Sequence, residues 1–463
     1  MYLLSIANRV RASELLKGFA TTTFWSALSK LLIVLTTLYC SNVLTQDEFG
    51  EFSFIRNTLS TVLLICATNF SGLAVKFAAE AMLSKESLKK LYILFLFTVG
   101  ISLLIGASIL ISPTNAIRSV VGGSGNVTYF IKLTGLFLPV FMLQPLLSAM
   151  LRGFKQFRLV GEYELLLSAF YFVVIIAGTY WGRSNGAIYA LLIYYLFFSV
   201  IGLLVVSKYN KSVHYLVKVE ELTSQKACLK KIIIPVFLMS FVEAPLLWFA
   251  QAEIAKRGSY ALVGGLSVIL TIRYAIQVLP TYFYQAFTPI VTLLNMKGEY
   301  REYFNKFKKV SIALALVFVV LFVVLVLTGK FILGIFNEVY ISYYQSYVIS
   351  LFVLLFSLYS VLFKLHMMIR EYQTVMFYMT ILSSFFFLIS FYAFLYFSFD
   401  MLNSFFYAQG LQYFIQLIVS VFVCNLDKKW NSVCLNYIIY YAILDILSND
   451  FYVYIPSCCR HIG

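Results

Sequence analysis

The chain has 463 residues, of which 61% are hydrophobic and only 12% charged, a balance that excludes an ordinary soluble domain. Its formal charge of +15 would suit a nucleic-acid binder in a soluble protein. Here that meaning waits on where the charges lie, because the apolar residues gather in runs near the ~20 residues that a bilayer core requires of a helix.

Twelve such runs are read in chain order: 19–41, 52–73, 91–112, 129–151, 159–181, 186–206, 232–254, 260–283, 310–329, 341–363, 374–397 and 404–424. No cleavage-site pattern follows the first, so it is expected to stay as a helix. The second and eighth are longer than a bilayer needs and are expected to continue past the inner surface. Residues 437–456 are apolar but interrupted by Asp445, Asp450 and Pro456, which suits a helix lying on the membrane surface.

The Lys and Arg residues favour every second gap. With the N-terminus inside, the inner gaps hold twenty-five of them, from Arg9 and Arg11 through Lys208–Lys231 and Lys297–Lys309 to Lys428, Lys429 and Arg460. The outer gaps hold five: Arg118, Arg183, Lys256, Arg257 and Lys330. Positive loops stay cytoplasmic on insertion, so both termini are expected in the cytoplasm and the charge is a topology signal, with no nucleic acid as partner.

The polar stretch 207–231 divides the runs six and six. Gly50 and Ser53 at the start of the second run recur as Gly264 and Ser267 in the eighth, both offset by 214 residues, and Lys85-Glu86 is echoed by Lys297-Gly298-Glu299. An even number of spans per half makes these parallel repeats about an axis along the membrane normal. The expected fold is an all-α integral membrane protein of about twelve transmembrane helices in two pseudo-symmetric six-helix bundles, residues 1–218 and 219–424, with a cytoplasmic tail at 425–463.

The remaining bases stand inside the runs: Lys30, Arg56, Lys76, Lys132 and Arg273. A charge at mid-bilayer costs roughly 2.5–3.5 kcal/mol on insertion scales, so such a group is expected to face a wet cavity or a partner. Lys30 and Arg273 lie at mid-run. Arg56 and Lys132 lie near the outer ends, where snorkelling to the headgroups is an equal alternative. Lys76 is nearer the inner surface and is read as a surface charge. Among the acids, Glu243 is mid-run between Pro235 and Pro245, and Glu253 closes the same run. Prolines free backbone carbonyls and bend helices. A buried Glu can exchange a proton or bind a cation, so these two are the candidates for ion coupling, with neutralisation of a nearby base as the alternative for Glu243.

The stretch Leu44-Thr45-Gln46-Asp47-Glu48-Phe49-Gly50-Glu51-Phe52-Ser53 with Gly72-Leu73, and the stretch Val263-Gly264 through Arg273, Gln277, Leu279-Pro280 and Gln285–Pro289, resemble matching helices of the bacterial polysaccharide (O-antigen type) flippases. These belong to the multidrug/oligosaccharidyl-lipid/polysaccharide exporter superfamily. The resemblance implies a MATE-like fold of two six-helix bundles around a V-shaped cavity. It implies a flippase that moves an undecaprenyl-pyrophosphate-linked oligosaccharide across the bacterial inner membrane by alternating access, driven by H+ or Na+. Lys30, Arg56, Lys132 and Arg273 would then bind the pyrophosphate, with membrane lipid and a polysaccharide polymerase as further partners. A drug/cation antiporter of the same fold is a second reading, weakened by the basic residues. A polysaccharide polymerase or ligase is a third, weakened by the outer gap 113–128, which carries one Arg and no acid. No G-x-x-x-x-G-K-[ST] occurs, and the Cys and His residues lack metal-ligand spacing, so neither cofactor nor metal is expected.

Overall fold

The computed structural model describes residues 24–67, 70–81, 85–122, 125–154, 157–210, 233–370, 372–397 and 399–429. The surface helix expected at 437–456 lies outside them. Every regular element among the described residues is helical. In chain order they are α1 (Phe24–Val43), α2 (Gln46–Cys66), α3 (Ser71–Ala81), α4 (Lys85–Ile111), α5 (Thr114–Val121), α6 (Gly125–Phe141), α7 (Leu143–Gly153), α8 (Phe157–Asn210), α9 (Ile234–Arg257), α10 (Tyr260–Met296), α11 (Tyr300–Phe336), a 3-10 turn (Glu338–Tyr343), α12 (Tyr344–Ile369), α13 (Gln373–Tyr396) and α14 (Met401–Lys429).

Nine helices among the described residues are long and apolar enough to cross a membrane. One of them, Leu159–Leu204, is two spans joined where α8 breaks at Gly182 and Arg183. The α2–α3 pair and α9 supply two more, so each of the twelve apolar runs has its helical segment. The alternation at the break in α8 is tight because Gly178 and Gly186 let its two arms touch backbone to backbone.

The structure refines several boundaries. The second run is two helices, α2 and α3, and the fourth is α6 and α7, broken at Met142. Pro139 lies inside α6, and Ser199 on α8 donates to the Val140 carbonyl at 2.8 Å, giving that carbonyl a partner where the helix ends. The eighth run is a 37-residue helix of ~55 Å, well beyond the ~30 Å bilayer core. The ninth begins ten residues earlier than its apolar part, at Tyr300. A short helix, α5, occupies the outer gap taken as loop. Helix α2 starts at Gln46, six residues ahead of its apolar run, because Thr45 and Glu48 form a reciprocal capping box.

The chain divides into two compact units, Met1–Ala275 with Lys330–Tyr344, and Ile276–Gly329 with Gln345–Gly463. In the first, the five segments expected outside converge on one end. Glu48 pairs with Arg183; Asp47 accepts from the Ala261 amide at 3.0 Å; Tyr260 donates to the Val121 carbonyl at 3.1 Å. Ser41 and Asn42 donate to the carbonyls of Phe336 and Ile335. The aromatic residues Tyr129, Tyr180, Trp181 and Tyr189 are exposed at this end, as headgroup-level side chains are.

The repeat becomes a physical contact here. A Cβ on Gly50 would stand 1.7 Å from the Tyr260 carbonyl oxygen, and one on Gly264 would stand 3.1 Å from that of Gln46. Residues 46 and 50 on α2 and residues 260 and 264 on α10 are the same two positions shifted by 214, so the helices meet reciprocally about a local two-fold.

The second unit is held by α13 against α14 and by an apolar cluster between α11 and α12. There Tyr303 and Phe307 on α11 pack with Leu362 and Leu365 on α12, and the Tyr303 hydroxyl lies 2.7 Å from His366 Nδ1. Asp400 caps α14 by accepting from the Leu402 and Asn403 amides.

Gly50→Ala is expected to destabilise the detergent-solubilised protein by about 1–3 kcal/mol through overpacking. Gly100→Ala on α4, where an added Cβ meets nothing within 4 Å, is expected to be neutral or slightly stabilising in the same thermal melt.

Candidate functional site

All six residues singled out as site candidates, Lys30, Arg56, Lys132, Arg273, Glu243 and Glu253, lie in the first compact unit. Arg56 has the most informative surroundings. The early start of α2 puts it almost three turns into the helix rather than near its end. Its Nη1 donates to Thr37 Oγ1 on α1 at 3.1 Å, its guanidinium lies 5.6 Å from the Phe52 ring centroid, and the Tyr171 hydroxyl on α8 lies nearby. Cys40 and Tyr195 are close enough to feel its charge. Among the described residues no carboxylate pairs with it. A half-buried guanidinium is thus held by neutral hydroxyls and one ring face, with most of its five donors uncommitted.

Lys30 stands seven residues before Thr37 on α1, two turns along the same face, so ~10 Å of helix separates it from the Arg56 contact. Its side chain is exposed. One turn before it, Ser26 donates to Glu164 Oε2 on α8 at 2.8 Å. Glu164 also accepts from Ser148 and pairs with Arg152, both on α7. Glu164 and Tyr171 are likewise seven apart on α8. One side of the α1–α8 contact therefore carries an ordered ladder, from Glu164 with Ser26, past Lys30, to Arg56 with Tyr171. Cys40 and Thr179 continue it, 3.6 Å apart.

Lys132 is half-buried on α6 and makes no contact with the other three bases among the described residues. Arg273 is 2% exposed, at the end of an unbroken buried stretch of α10 from Val263. It is therefore enclosed by protein and not by acyl chains. Glu243 is half-buried on α9, with Pro235 at the helix start and Pro245 within the helix. Glu253 is engaged by Arg257 one turn further on.

Sequence reasoning missed the partners of Arg56. Thr37 and Tyr171 are unremarkable letters in apolar runs. The available signal was the seven-residue spacing of Lys30 and Thr37 and the polar pair Tyr194-Tyr195 within an apolar stretch. It also missed Glu164 as a junction of three helices.

Asn57, the next residue on α2, faces the other way. Its amide donates to Gln251 on α9 and Ser267 on α10, and Trp248 donates to Thr58 at 2.8 Å. Helix α2 thus offers a polar contact to α1 and α8 on one side and to α9 and α10 on the other.

No family model matches the sequence, and no curated protein does. Solved structures match over nearly the whole chain. An inward-facing multidrug-resistance MATE transporter of the MOP superfamily aligns with a TM-score of 0.64 at 13% identity, covering 90% of this chain and 96% of its own. A MOP superfamily transporter from Pyrococcus furiosus aligns at 0.63 and 12% identity, covering 90% and 96%. A Vibrio cholerae MATE transporter aligns at 0.61 and 14% identity, covering 92% and 99%. The chain has the MATE fold.

Ahead of the membrane-spanning part of α2, the two Glu48 oxygens accept from Arg183 at 2.6 and 2.7 Å. Arg183 has a positive φ of 50° with ψ −132°, at the point where α8 breaks. The guanidinium holds the Glu48 carboxyl at about 2, below its ordinary 4.5. A depressed folded value places the pair's contribution fully above pH 4.5 and removes it as pH falls through 2. Because the pair is partly exposed, Glu48→Gln is expected to cost at most ~1 kcal/mol at pH 7. That deficit should vanish in thermal melts taken stepwise from pH 4.5 towards 2.

Proposed function

We propose that the chain is a flippase for an undecaprenyl-pyrophosphate-linked oligosaccharide, an O-antigen or capsule repeat unit, in a bacterial inner membrane with both termini cytoplasmic. The observation that carries this reading is Arg56. A guanidinium with only hydroxyl and ring partners is a poor structural device, since burying its charge without a counter-charge is costly. It suits a mobile anion that brings the missing charge with it. Charge-assisted hydrogen bonds from Arg56, with Lys30 two turns away, would replace the hydration that the pyrophosphate loses.

The MATE fold supplies the scaffold for alternating access. Solved neighbours with this fold include inward-facing and outward-facing forms of a multidrug-resistance transporter. Another neighbour is described as having a binding pocket of reversed polarity that suggests a different function. Change of pocket charge on a constant fold is therefore a reasonable route to a new cargo, and Arg56 without a carboxylate partner among the described residues favours an anionic cargo over a cationic drug. For the driving ion, H+ or Na+, Glu243 is the carboxylate we propose: it sits half-buried between two prolines, whereas Glu253 is engaged by Arg257. A polymerase would take the exported unit as its substrate.

In a strain lacking its own flippase, Arg56→Gln, Lys30→Ala and Arg273→Ala are each expected to abolish surface polymer while the protein still inserts at normal level. Normal polymer staining with Arg56→Gln retires the proposal. In proteoliposomes, Glu243→Gln is expected to remove the dependence of transport on the ion gradient; an unchanged response to pH and to sodium takes Glu243 out of the mechanism.

A further inference from the structure

We propose that the N-terminal end of α11 is a docking surface for an anionic phospholipid, whose phosphate rests on Lys308, Lys309 and Arg301 and whose acyl chains lie along the apolar residues that follow. The proposal is independent of the cargo read for Arg56.

Helix α11 keeps one face for the protein. Tyr303, Phe307 and Phe318 are buried on it. The Tyr303 hydroxyl lies 2.7 Å from His366 Nδ1, and from α12 Tyr359 donates to the Ser311 carbonyl at 2.8 Å and Tyr347 to that of Leu325 at 3.3 Å. At ~3.6 residues per turn these contact positions fall within roughly a quarter of the helix circumference. The opposite face is a single stripe. Arg301, Asn305 and Lys308 run into Ile312, Leu316 and Val319 at steps of three or four residues, and all are exposed. Lys309, also exposed, stands beside the stripe. Basic at its start and apolar from Ile312 onward, the stripe changes character in the same order as a phospholipid does from headgroup to tail.

These bases differ from charges that serve topology alone. A topology signal needs bases in a gap between spans and sets no angle for them. Here they share the face that acyl chains cover further along the helix. Lys306 lies off the stripe and is paired with Glu302 at 2.8 Å. Among the described residues none of Arg301, Lys308 and Lys309 pairs with a carboxylate. Arg301 stands in the first turn of α11, where a cation opposes the helix dipole and an anion is favoured. The neighbouring Arg370 is committed: its guanidinium lies 4.9 Å from the Tyr300 ring centroid and its Nη1 donates to Asn295 at 2.9 Å. It braces the turn between α10 and α11 and leaves the exposed bases to the headgroup. Lys308 and Lys309 directly precede the apolar run 310–329, the depth at which lipid phosphates lie. Arg301 is ~10 Å further out, and its long side chain can reach back along the stripe.

The test follows the melting temperature of the full-length protein in detergent as phosphatidylglycerol or phosphatidylcholine is added. Phosphatidylglycerol is expected to raise it further and to reach half its effect at a lower concentration. Lys308→Gln combined with Lys309→Gln should raise that half-effect concentration roughly thirtyfold, at about fivefold per basic side chain, and leave the response to phosphatidylcholine unchanged. Lys308→Arg combined with Lys309→Arg, which keeps both charges, should behave as the original protein, and an unchanged lipid-free melting temperature certifies the fold of each variant. Arg118→Gln combined with Lys256→Gln removes two exposed bases elsewhere and should leave the phosphatidylglycerol response intact. Equal effects of the two lipids overturn the proposal. So does an equal loss in the Arg118 and Lys256 variant, which makes the attraction non-local. A response to a polyprenyl pyrophosphate with none to phosphatidylglycerol gives the surface to the cargo and overturns the phospholipid as its occupant.

Discussion

A positive charge without a counter-charge, held inside a bundle of apolar helices, is the constraint around which the rest of this protein is arranged. The chain has few acids to spend, 20 against 35 bases, and the acids it places near the site are committed elsewhere. Glu164 is taken by Arg152 and two serines, Glu48 by Arg183 and its own capping box, Glu253 by Arg257. Arg56 is left with hydroxyls. In a low-dielectric surrounding such a group attracts anions more strongly than it would in water, and that is the property a cargo-binding cation needs.

The same helix that presents Arg56 also connects the two repeats. On α2 the residues alternate in allegiance: Thr37 and Tyr171 are reached from Arg56, Gln251 and Ser267 from Asn57, Trp248 from Thr58. Near its N-terminal end Gly50 brings α2 against α10 with no room for a methyl group. Arg56 and this close approach lie less than two turns apart on one helix.

Much of the fold was legible because the bilayer imposes a coarse rule that letters obey. Runs of apolar residues and alternate basic gaps located all twelve helical segments, and a 214-residue offset seen in Gly50 and Gly264 became a reciprocal contact. The errors were local. The start of α2 was placed at 52 because Gln46, Asp47 and Glu48 are polar, yet those polar residues form the cap that begins the helix. That shift moved Arg56 from a helix end, where snorkelling is easy, to a position well inside. The partners of Arg56 were missed because Thr37 and Tyr171 are brought to it by tertiary packing of three helices, which the spacing of Lys30 and Thr37 along α1 does not by itself reveal. The breaks at Met142 and within the second run depend on the same kind of neighbour, such as Ser199 at the Val140 carbonyl.

The central claim is that the bases inside this fold serve an anionic, lipid-linked cargo. The most direct measurement follows two fluorescent cargos in one preparation of reconstituted vesicles: a polyprenyl-pyrophosphate oligosaccharide and a cationic dye. The account predicts that the lipid-linked sugar changes leaflet in the presence of the protein and that the dye stays where it is placed. Dye movement with the lipid-linked sugar stationary contradicts it.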